Sequence, residues 1–114
     1  MSIERLIELA NQIENEELRK KTIEILKDIK LTNQHFKKLV REDPEKVRTP
    51  FSINDVVVLR DLINHTITVT EVCMKIAETV EKNYGVKVNK DVLIAGSLLH
   101  DIMKVYEFKD GKPT

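Results

Sequence analysis

Ser97-Leu98-Leu99-His100-Asp101-Ile102-Met103-Lys104 places an imidazole, a carboxylate and an ammonium inside an otherwise apolar stretch. Ala95, Leu98, Leu99 and Ile102 recur at i, i+3, i+4 and i+7, the spacing of one apolar helix face. His100 and Lys104 are four residues apart, and Asp101 and Lys104 three apart, so these groups are expected to project together near a helix end. Each such group costs on the order of several kcal/mol to desolvate without a partner. A metal ion is the partner that suits an adjacent His and Asp best.

The rest of the composition frames that centre. The chain has 114 residues, enough for one small domain with a single core, with hydrophobic residues at 41% and charged residues at 33%. Nineteen Lys and Arg balance nineteen Asp and Glu, so no net basic excess advertises a nucleic-acid backbone or an anionic membrane. Nucleic acid is therefore not favoured as a partner. One cysteine, Cys73, rules out an internal disulfide and fits a reducing compartment. No apolar run is long enough for a membrane span, and the N-terminus lacks a signal peptide's apolar core, so the expected location is cytoplasmic. Three Gly and three Pro among many Ile, Leu, Lys and Glu predict an all-α chain.

Before that centre, Ile3, Leu6, Ile7, Ala10 and Ile13 predict a first helix. Asn15 reads as the N-cap of a second, with Glu16 and Glu17 at its positive end, running through Leu26 to about Lys30. Thr32 is expected to cap a shorter third helix carrying Phe36 and Leu39. Residues 1–48 thus form an N-terminal helical extension, either a partner-binding or dimerising arm or a cap packed on the neighbouring domain. The cap is favoured, because amphipathic helices usually cover their own core.

Asp43-Pro44 and Thr49-Pro50 break helix and mark a connector, after which residues 49–114 are expected to form the domain that carries the chemistry. Ser52 and Asp55 suggest a capping box with a helix starting near Ile53, although the β-branched run Val56-Val57-Val58-Leu59 is also compatible with a strand. From Leu62, the stripe His65, Val69, Val72, Cys73, Ile76, Ala77 and Val80 predicts one long helix whose inward face includes His65. Gly85 suits its C-terminal cap, and Asn89 the start of the next helix. Beyond Lys104, Val105 to Phe108 alternates at period two and Asp110-Gly111 signals a hairpin turn, with the chain ending before a return strand.

Two antiparallel helices joined near Gly85 bring His65 level with His100 and Asp101. Two imidazoles and a carboxylate make a nitrogen–oxygen site for Fe, Mn, Co, Ni or Zn. His35 has no ligand-type partner at such spacing and reads as a surface residue. Cys73 reads as a core thiol, and Asp61 and Glu71 as solvated helix charges.

The residues Leu62-Ile63-Asn64-His65-Thr66 followed by Ala95-Gly96-Ser97-Leu98-Leu99-His100-Asp101-Ile102-Met103-Lys104 resemble the first half of the HD superfamily of metal-dependent phosphohydrolases. The resemblance covers roughly residues 52–108 and implies an HD-like helical bundle. It further implies that His65, His100 and Asp101 are metal ligands. Asp101 and Lys104 would be catalytic, with Lys104 meeting the substrate phosphate or holding the Asp101 carboxylate. The implied reaction is metal-assisted hydrolysis of a small phosphate ester, within the family nearest to members that open cyclic phosphodiesters of a pterin or nucleotide. Met103 stands where the family usually has glycine, and the family's distal Asp would lie beyond residue 114. A longer chain or another chain would supply it. The competing expectation is a catalytically incomplete helical module that homo-oligomerises or docks a partner through its N-terminal arm.

Overall fold

Asn15 starts a helix as its type and position predict, its side-chain oxygen accepting the Leu18 N–H at 2.9 Å. In this computed structural model, which describes residues 2–30, 40–109 and 112–113, that helix is α2 (Glu16–Lys27) and follows α1 (Ile3–Ala10). A short 3-10 turn at Pro44–Lys46 leads to strands β1 (Arg48–Ile53) and β2 (Val56–Asp61). The long α3 (Leu62–Tyr84), then α4 (Lys90–Leu99), a 3-10 segment Ile102–Tyr106 and the two-residue strands β3 (Phe108–Lys109) and β4 (Lys112–Pro113) complete the order. The expected third helix, with His35, Phe36 and Leu39, lies outside the described residues.

The chain is mostly helical but not all-α. In place of the expected capping box and helix, β1 and β2 pair antiparallel with Ile53 opposite Val56. Asn54 and Asp55 have φ of 48° and 65°, the left-handed conformation that a two-residue hairpin turn demands and that these residue types tolerate. The turn signal precedes the valine run, and valines on both faces conceal its alternation. Thr49, Phe51, Val58 and Arg60 turn inward, whereas Pro50, Ser52, Val57 and Leu59 are exposed. A return strand is present, since β3 and β4 pair antiparallel, and the expected turn at Asp110 and Gly111 lies outside the described residues.

The face that α3 buries is also rotated from the expected stripe. Leu62, Ile63, Thr66, Ile67, Thr70 and Ala77 are buried, while Val72 and Ile76 are 49% and 57% exposed. Threonine hid the true face from hydropathy. The hydroxyls of Thr66 and Thr70 donate to the carbonyls of Leu62 and Thr66 at 2.9 and 2.8 Å, which removes the cost of burying them. Gly85, at φ 66°, ends α3 in the left-handed conformation, and the Asn89 side chain accepts from the Val92 N–H to start α4. Asp91, in the first turn of α4, accepts the N–H groups of Glu14 and Asn15 at 2.8 and 3.0 Å and so ties α4 to the α1–α2 turn.

One apolar cluster unites these elements: Leu6, Leu9, Ala10 and Ile13 from the α1 region, Leu26 from α2 and Ile29 just beyond it, Ile63 and Ile67 from α3, and Ile94 and Leu98 from α4. The N-terminal helices therefore pack as a cap rather than standing off as an arm. Arg5 and Glu71 bridge α1 to α3 at 2.8 Å, so Glu71 is tied down by an ion pair. Cys73 is only partly covered. Among the described residues no helix is long and apolar enough to cross a membrane.

Candidate metal centre

His65 stands in the first turns of α3, and His100 and Asp101 at the far end of α4. From His65 to Tyr84 the helix climbs about 28 Å at 1.5 Å per residue, and α4 returns about 15 Å. The connector Gly85–Asn89, at up to about 3.5 Å per residue, covers the difference. The packing of α4 against α3 then brings the three side chains together.

The helix runs from Lys90 to Leu99, and His100 keeps helical angles as its C-cap, so it ends at the His100-Asp101 pair as expected. At Asp101 the backbone turns to φ −119°, ψ 7°, and the 3-10 segment comes next. Adjacent side chains on a continuous helix point about 100° apart, so this break lets two neighbours share one centre. His100 Nε2 lies 3.0 Å from Asp101 Oδ2, and His65 Nε2 lies 3.3 Å from the same oxygen. The imidazole rings meet edge to face with centroids 5.6 Å apart. One donor atom from each residue falls within 4.8 Å of the others, so the three can address a single ion.

Hydrogen bonding sets the tautomer of His100. Its Nδ1 lies 2.6 Å from the Ser97 carbonyl, which only accepts, so Nδ1 carries the proton and donates. The Nε2 lone pair is then directed at a carboxylate oxygen. In the neutral ring that lone pair lies 3.0 Å from the oxygen, a gap that a cation held by both can join. Burial pushes the His65 imidazole below its ordinary range; the Arg60 charge adds to the shift, and Asp101 opposes it. A neutral imidazole at neutral pH is the form that binds metal. Donor types, spacing and orientation all fit a borderline transition ion.

That shift has a sign for stability. The ordinary His value is 6.5 and the folded value is lower, so below about 6.5 the unfolded chain takes up a proton that the folded chain resists. The neutral His65 contribution is fully present above 6.5 and is lost as pH falls through that value toward the folded one. Urea denaturation of chelator-treated protein is expected to show a steeper stability loss on acidification for wild type than for His65→Gln. Parallel curves would refute it.

Lys104 is placed differently from the spacing argument. Its Nζ lies 3.8 Å from Glu107 and 5.4 Å from the Phe108 ring centre, and among the described residues no ion pair joins it to Asp101. Asp61, read as a solvated charge, caps α3 through the Asn64 N–H and pairs with Arg48 at 3.0 Å. Sequence reasoning misses Arg60 altogether, because an arginine ending an apolar run reads as a solvent-facing end. A recess of about 690 Å³, lined by Gln12, Met74, Glu78, Lys87 and Leu93 among others, shares no residue with the triad.

The family model of the HD domain matches residues 62–113, which contain all three triad residues. Residues 62–113 are thus similar to an HD domain. A similar curated protein is the dihydroneopterin 2′,3′-cyclic phosphate phosphodiesterase of Methanocaldococcus jannaschii, 49% identical over 109 residues. The alignment takes in 93% of this chain and 42% of that relative, so the chain spans less than half the relative's length. The similarity extends beyond the HD segment to the N-terminal helices and the β1–β2 hairpin. No solved structure gives a significant match.

Proposed function

We propose that this chain carries the metal-binding half of a metal-dependent phosphohydrolase that opens a cyclic phosphodiester of a pterin or nucleotide. One observation carries the reading: both imidazole Nε2 atoms converge on Asp101 Oδ2 while the Ser97 carbonyl holds the His100 tautomer. His65, His100 and Asp101 would hold a divalent Fe, Mn, Co, Ni or Zn ion. When bound, such an ion supplies Lewis acidity toward a phosphoryl oxygen and acidifies water. His65 and His100 contribute neutral donors, and Asp101 the one negative charge. Lys104, half-buried three residues beyond Asp101, would bring an ammonium to a substrate phosphate. The phosphodiesterase name of the M. jannaschii relative and the HD match support this substrate class. Residues 1–48 are read as a cap and 49–114 as the metal-binding unit, with the single cysteine in keeping with a cytoplasmic setting.

A second reading is favoured by the apolar side chains left open at Val56, Val57, Leu59, Val72 and Ile76. Here the chain is an incomplete helical module that docks another polypeptide. Elemental analysis of chelator-free protein, followed by incubation with 2′,3′-cyclic phosphates, separates the two. About one metal equivalent and ring opening to a monoester are expected. No metal after reconstitution would leave the docking module.

A further inference from the structure

We propose that Arg60 is a phosphoryl-binding residue beside the triad, its guanidinium taking two oxygens of a phosphate ester; the substrate class rests on the phosphohydrolase reading above. Arg60 lies on the inward face of the β1–β2 hairpin, directly opposite buried Thr49 in the strand register. Its Nε donates to Thr49 Oγ1 at 3.3 Å, and its guanidinium carbon lies 4.9 Å from the centre of the Phe51 ring. These contacts use Nε and the flat face of the group. The two terminal nitrogens, a fork suited to paired phosphoryl oxygens, make no ion pair among the described residues.

A partly buried guanidinium without a carboxylate is an unbalanced charge, and its position makes the imbalance informative. Arg60 is one residue before the Asp61 cap and five before His65, and its charge acts directly on that imidazole. A fixed cation beside metal ligands weakens metal binding by repulsion unless an anion joins the site. A phosphate ester is attracted by both positive charges and neutralises both. Arginine suits this place better than lysine, since Phe51 stacks the plane and Thr49 fixes its rotation.

The test is calorimetric titration of inorganic phosphate into the full chain, both chelator-treated and metal-loaded. It is run for wild type, Arg60→Gln, Arg60→Lys and Phe51→Leu, with metal content and circular dichroism recorded for each. Arg60→Gln is expected to weaken phosphate binding by about tenfold or more, the scale of a charge-assisted pair. Its metal content should equal or exceed wild type. Arg60→Lys should recover only part of the loss, and Phe51→Leu should show a smaller one. A merely structural Arg60 would lower metal content and helicity together with phosphate binding, and that result overturns the proposal. So does unchanged phosphate affinity in Arg60→Gln, or wild type that binds no phosphate in either form. If Arg60→Gln fails to fold, the Phe51→Leu result decides. Arg60-dependent phosphate binding without metal or phosphodiester turnover would sink the enzymatic reading and leave this one standing.

Discussion

Replacing His100 or Asp101 with alanine is expected to abolish metal retention while leaving the fold largely intact. Both sit at the rim of the core, with side chains 36% and 21% exposed, and neither belongs to the apolar cluster. Removing a partner of a liganding histidine typically costs about 10–100-fold in metal affinity, so deleting one of three donors should cost at least that. Unfolding free energy should change by no more than about 1 kcal/mol, because no cavity opens and the 3-10 segment starts from the Asp101 main-chain carbonyl. Asp101→Ala is the sharper of the two, since both imidazoles converge on its oxygen. Metal content by elemental analysis and unfolding by urea give the two readouts. Wild-type metal content in both variants would remove the triad from consideration as a metal centre. Lost metal together with lost helicity would instead make the pair structural.

The centre was legible in the sequence because its chemistry is local and its residue types are rare in apolar helices. His100 and Asp101 are adjacent, and caps at Asn15, Gly85 and Asn89 announce the helix boundaries that carry His65 to them. What stayed hidden depended on groups whose polarity misstates their burial. Thr66 and Thr70 pass for solvent-facing residues until their hydroxyls are seen returning to main-chain carbonyls one turn earlier. Val56 to Leu59 reads as a uniform apolar run, although alternate residues face opposite sides of a hairpin. Asn54-Asp55 is the turn signal, but it stands before the run and beside a plausible capping box. Lys104 stands three residues from both Asp101 and Glu107, so spacing alone does not choose between them, and the structure pairs it with Glu107 at 3.8 Å.

Leu6→Ala is expected to produce the largest loss of stability of any substitution considered, although Leu6 lies outside the HD segment. Leu6 is 0% exposed and belongs to the same cluster as Ile63 and Leu98, which lie on the two helices that position the triad. Truncating a fully buried leucine costs about 2–5 kcal/mol, through lost transfer energy and the cavity left behind. Domains of this size are stable by roughly 5–15 kcal/mol, so the loss is a large fraction of the whole. At several degrees per kcal/mol, the melting temperature should fall by about 10 °C or more. Val72→Ala is the control, since Val72 is 49% exposed and should change stability by only about 0.5 kcal/mol. A detached arm would predict the reverse, with little cost at Leu6. Equal, small effects at both positions in urea denaturation would show that α1 does not share the core of α3 and α4. A large effect at Leu6 alone would make the N-terminal cap a condition for holding His65 against His100 and Asp101.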